Sequence, residues 1–120
     1  MKVKAGIEKY QRVRVKFPGD VVLMVPVLSV TPDEDEKAVY DLLDDYFALD
    51  QTRPTPSPSA YAEAEVAIVK AALGLIYEQP PEVRIRRDTF DEVFGALRWG
   101  RTNLGEESGA VNQNGDTSGQ

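Results

Sequence analysis

The sequence predicts an α+β fold: an N-terminal β-hairpin packed on about three α-helices, with a disordered C-terminal tail. Three observations carry this expectation. Residues 12–17 alternate, Arg12, Arg14 and Lys16 against Val13, Val15 and Phe17, which is the period of a half-buried strand. From Thr31 the apolar spacing becomes helical, and residues 57–78 form the longest and most apolar helical stretch. Beyond Arg101 almost nothing apolar remains to offset the entropy of ordering. The expected domain is therefore 1–100, with a proline-rich linker at 50–59 and a tail at 101–120.

A chain of 120 residues is one domain with a modest core. It holds no run of eighteen apolar residues, and its start has a basic flank without the apolar segment of a secretory signal. Cysteine and histidine are both absent, which removes disulfides, thiolate nucleophiles, the commonest general base and the commonest metal ligands. Carboxylate chemistry or a magnesium site remains as the enzymatic alternative. The expectation is a non-enzymatic protein without cofactor or metal, whose work is binding.

The net charge of −6 hides a segregation. Through Phe17 the chain carries Lys2, Lys4, Lys9, Arg12, Arg14 and Lys16 against Glu8 alone, whereas residues 20–50 carry nine acids against Lys37. A second basic cluster is Arg84, Arg86 and Arg87. Either the two regions neutralise each other within the fold, or the first strand offers a face to nucleic acid. Overall acidity and the lack of interleaved aromatics oppose the second reading.

Taken in order, the first strand ends at Pro18-Gly19, where proline fixes φ and glycine supplies a positive one. Residues 21–30 are apolar almost throughout and form the partner strand, with Pro26 marking an edge or bulge. Apolar residues on both faces call for cover on both. Thr31-Pro32-Asp33-Glu34 then starts a helix, with Thr31 as N-cap, Pro32 first and Glu34 closing a capping box. The acids at 33–36 suit the positive end of the helix dipole, and this accounts for them better than a metal site. Val39, Leu42, Leu43, Tyr46 and Phe47 form its buried stripe; Asp41, Asp44 and Asp45 face water. The linker at 49–59 is extended and reverses the chain, with a PxxP ligand as the functional alternative.

The central helix is capped by Ser57 or Ser59 and stopped by Pro80-Pro81. Its polar positions fall on one narrow line through Glu63, Ala67, Lys70, Gly74 and Glu78. The remaining girth exceeds the stripe of roughly 100° that a surface helix buries. Either the domain wraps around it or another chain covers part of it. The candidate partner-binding residues are accordingly Ile68, Val69, Leu73, Leu75, Ile76 and Tyr77, together with Trp99. Residues 83–86 alternate as a short strand or extended connector. Asp88 caps a last helix with Phe90, Val93, Phe94 and Leu97 inside, Gly100 ends it, and Trp99 is a core or rim residue.

The order of these features resembles the small tail assembly chaperones of long-tailed, siphovirus-type bacteriophages of actinobacterial hosts. The resemblance rests on Glu8-Lys9-Tyr10 before the hairpin, Val25-Pro26-Val27-Leu28 within it, the acidic helix, and Trp99 followed by Thr102-Asn103-Leu104-Gly105-Glu106. It covers roughly residues 8–50 and 90–107. It implies a non-enzymatic protein in the cytoplasm of the bacterial host that coats the tape measure protein and keeps it soluble until the tail tube assembles. It also implies a programmed −1 frameshift near the gene's end. Codons for Leu104, Gly105 and Glu106 admit an unbroken guanine run for such a slip, and the residues after Glu107 would then be the unshifted ending. Two other classes stand beside this reading: a virion ring component, such as a head–tail connector or tail terminator, and a small nucleic-acid-binding regulator.

Overall fold

The computed structural model describes residues 2–103. Most of the expected disordered tail, and the Leu104-Gly105-Glu106 signature with it, lies outside the described residues. Within them the architecture is the expected one: a two-stranded antiparallel hairpin followed by three helices.

Strands β1 (Gln11–Phe17) and β2 (Val21–Val27) pair with Val13 opposite Val25, Val15 opposite Leu23 and Phe17 opposite Val21. All but Val21 of these six are buried, while Arg14 and Lys16 point to water. The turn takes two left-handed residues, Gly19 at φ 88° and Asp20 at φ 61°. Aspartate is among the few side chains that visit this region, and Asp20 reaches back to Lys16 at 3.2 Å.

Pro26 is accommodated by register. The Met24 N–H points away from β1 and donates to the Tyr77 hydroxyl at 2.8 Å. Two residues on, Pro26 occupies an equivalent outward position, where the ladder needs no N–H. Cover on the second face of β2 is incomplete, because Val22 remains 46 % exposed.

Helix α1 (Glu34–Ala48) is capped by Asp33 rather than Thr31. Both Thr31/Glu34 and Asp33/Glu36 have capping-box spacing, and the second register satisfies more donors. The Asp33 side chain accepts from Glu36 N at 2.8 Å, and Glu36 Oε1 accepts from Asp33 N at 3.0 Å. The other Glu36 oxygen takes the N–H of Ser29 at 2.8 Å, and Lys9 sits 2.8 Å from Asp33. Pro32 therefore precedes the cap instead of opening the helix. The linker begins as a 3₁₀ turn (Leu49–Gln51) before it becomes extended.

Helix α2 (Pro58–Ile76) is capped by Ser57, with Pro58 at its first position. It packs against α1, β2 and helix α3 (Arg87–Trp99). It ends before Pro80 because Tyr77 turns extended to bridge Val3 and to place its hydroxyl on β2. Residues 83–86 form an extended connector that joins no sheet among the described residues, with Val83 and Ile85 packed on the core.

The N-cap of α3 is Arg86, without a side-chain cap, and Asp88 falls inside the first turn, where it complements the dipole. Gly100 ends α3 at φ 67°; an added Cβ would also meet Val27 at 3.3 Å. Order continues slightly past Arg101, contrary to expectation. The Thr102 hydroxyl is bonded to the Arg14 carbonyl, and Asn103 Nδ2 donates to Glu92 at 3.0 Å.

Candidate interaction surface

The seven candidate partner-binding residues separate into six and one. Ile68, Val69, Leu73 and Ile76 are at most 1 % exposed, Tyr77 is 6 % and Leu75 is 9 % exposed. All six belong to the chain's own core, in one cluster with the inner faces of the hairpin, α1 and α3. This corrects the expectation that the excess girth of α2 faces another chain: the domain wraps around it. An apolar cleft of about 170 Å³ lies between α2 and the 80–85 connector, lined by Val69 and Leu73 on one side and Pro81, Val83 and Ile85 on the other. Trp99 alone of the seven lies open, at 59 % exposure.

Around Trp99 the structure assembles a surface from helices whose patterns look ordinary. Phe94 is half-buried, and its ring meets Trp99 edge-on at 5.6 Å and Phe47 edge-on at 5.9 Å. Phe47, expected in the buried stripe of α1, is 42 % exposed. Behind these rings stand Phe90 and Tyr46, 5.4 Å apart, which anchor the strip to the core. The Arg98 guanidinium lies over Phe94 at 5.9 Å and Trp99 at 5.5 Å, covering one end. The sequence carries only a partial signal for the exposure of Phe47: the width of the apolar arc of α1, not which of its residues stays open. The apolar arc of α1 from Leu42 to Phe47 spans about 140° at 100° per residue, more than one packing layer covers.

The exposed face of α1 is acidic, with Asp44 one turn from Phe47, Asp41 a turn further back, Asp45 on the side away from Phe47, and Glu34 and Asp35 at the far end. Glu34, Asp35, Asp41, Asp44 and Asp45 are exposed, and none forms an ion pair among the described residues. Between the basic and acidic regions, Lys9 pairs with Asp33 at 2.8 Å and Lys16 with Asp20 at 3.2 Å. The Lys9–Asp33 hydrogen bond is the main cause that lowers the Asp33 pKa and raises that of Lys9.

Behind the strip lies a buried carboxylate that the sequence reading missed. Glu65, 6 % exposed, accepts from the Tyr46 hydroxyl at 2.7 Å and is paired with Arg87. Burial, then the bond to Glu65, pushes the Tyr46 phenol up to about 12. Glu65 lies on α2, Tyr46 on α1 and Arg87 at the start of α3, so one carboxylate ties the three helices. Arg84 and Arg86, by contrast, flank an open depression with Asp88 and Asp91. No group of acidic side chains with metal-site geometry occurs among the described residues, and no described helix is long and apolar enough to cross a membrane.

No family model, curated protein or solved structure matches the chain.

Proposed function

We propose that this protein is a non-enzymatic tail assembly chaperone of a long-tailed bacteriophage, which binds the tape measure protein in the host cytoplasm and keeps it soluble during tail morphogenesis. The observation that carries the reading is the Phe47–Phe94–Trp99 strip, an aromatic surface left open by a domain whose core is otherwise complete. Contiguous exposed apolar surface of this kind marks interaction sites. An amphipathic helix of the client would lay its apolar face on the strip, as in helix-in-groove recognition. Many copies along one long client would hold it by avidity, and the acidic faces would keep the coated complex in solution. The sequence resemblance points the same way through Trp99 and the residues after it.

The test is co-expression with the product of a very long reading frame directly downstream. The expected result is a client that is soluble with this protein and insoluble without it, with solubility lost on Phe47→Ser or Trp99→Ser. A stable symmetric ring formed by the protein alone, with no effect on the client, would replace this reading with that of a virion component. A guanine run at codons 104–106, with the −1 frame open beyond it, is the expected genetic counterpart.

A further inference from the structure

We infer that the partner segment seated on the Phe47–Phe94–Trp99 strip is an amphipathic helix whose apolar stripe is flanked by lysine or arginine. This rests on the proposed binding role of the strip and adds the chemistry of what occupies it.

Spacing is the first support. Successive ring centroids along the strip are 5.9 and 5.6 Å apart. Each step is close to one helical turn of about 5.4 Å. Partner side chains at i, i+3 or i+4, and i+7 have a matching step. Charge is the second. Asp44 lies one turn before Phe47 and about 60° round α1 from it, and Asp41 lies a further turn back and a further 60° round. Neither carboxylate forms an ion pair among the described residues, so a helix seated on Phe47 would set its near flank beside Asp44 first. Cations there gain steering and attraction without displacing an existing ion pair.

At the far end Arg98 already covers Phe94 and Trp99, so the basic flank belongs on the α1 side. A second copy of this chain fits less well. Each copy carries a net charge of −6 and brings the same carboxylates, with Arg98 as the cation stacked on the strip.

The single tryptophan of the chain is in the strip, so its fluorescence reports occupancy directly. The full chain is titrated with two synthetic helical peptides that share one leucine stripe, one flanked by lysine and the other by glutamate. The lysine peptide is expected to shift Trp99 emission to shorter wavelength, with affinity falling as salt rises, and to bind about tenfold more tightly than the glutamate peptide. A double variant, Asp41→Asn with Asp44→Asn, should remove most of that difference; Phe47→Ser should weaken both peptides. Circular dichroism melts of the variants establish that they fold.

Equal affinity for the two peptides, or affinity insensitive to salt, would overturn the inference. So would an emission shift that grows with protein concentration alone, since the occupant would then be a second copy. The two readings fail separately. A client solubilised regardless of the Asp→Asn changes keeps the chaperone and removes the basic helix. Charge-selective peptide binding without an effect on the client does the reverse.

Discussion

Helix α2 and the strip between α1 and α3 invert what their sequences suggest. Helix α2 is apolar nearly all round, yet Ile68, Val69, Leu73 and Ile76 are sealed by α1, α3 and the hairpin. Helices α1 and α3 read as ordinary amphipathic helices, yet their adjoining margins leave Phe47 and Trp99 in water. Excess apolar girth on one helix therefore reports its centrality in the domain. Open apolar surface arises where two helices each carry one aromatic more than their shared contact covers. A central helix has neighbours on several sides, whereas Phe47 and Trp99 sit at the ends of elements where the covering layer stops.

The largest effect that bears on this contrast is at Leu73. Fully buried in the last turn of α2, it should cost about 2–5 kcal/mol on change to alanine, read by denaturant unfolding. Leu73→Asp should prevent folding altogether. The same outcome is expected at Ile68 and Ile76. A folded Ile68→Asp variant defective in binding alone would restore the idea that α2 faces a partner.

Next comes the carboxylate that holds the helices together. Tyr46→Phe removes the hydroxyl that donates to buried Glu65 and should cost about 1–2 kcal/mol. Tyr61→Phe is the control, since its hydroxyl bonds Asp50 at the surface and its loss should be scarcely measurable. The pair also differs in alkaline sensitivity. The Tyr46 phenol is raised from 10.0 to about 12 by burial and by Glu65, so the folded state holds this proton more tightly than the unfolded chain. Its contribution is complete below the unfolded value near 10 and declines as pH rises from there toward 12. In Tyr46→Phe that part of the alkaline loss should be missing from an unfolding series between these limits.

The backbone plan was legible because it rests on local rules. Alternation at 12–17, Pro18-Gly19, Ser57-Pro58 and Gly100 each specify their conformation through residues close in sequence. Where two local solutions competed, the choice was made by a distant group. Asp33 became the cap of α1 in a setting where Lys9 pairs with it and Ser29 uses the second oxygen of Glu36. The site was less legible for the same reason. Glu65 looks like a surface residue until Tyr46 and Arg87, 19 and 22 positions away, converge on it. Exposure of Phe47 depends on how far α3 extends over α1, which periodicity within α1 cannot specify.

The smallest effect on stability is expected at the strip itself, and it separates the two regions most cleanly. Trp99 is 59 % exposed and contacts Phe94 edge-on, with Arg98 stacked on its face. Replacing it with serine forfeits an exposed ring contact and an exposed cation–π contact, each worth about 0.5–1 kcal/mol. Part of that is regained as Phe94 and Arg98 rearrange into water. The net change should therefore stay near or below about 1 kcal/mol, well under that of Leu73→Ala. Phe47→Ser should behave alike, because its main partners, Tyr46 and Phe94, remain packed on Phe90. Thermal unfolding of the two single variants and of the double measures this, and their shared contact with Phe94 predicts a double-mutant coupling of a few tenths of a kcal/mol. A loss of several kcal/mol at either position would mean that the strip is a strut of the fold. An unchanged melting curve with partner binding gone would establish it as surface held open for another chain.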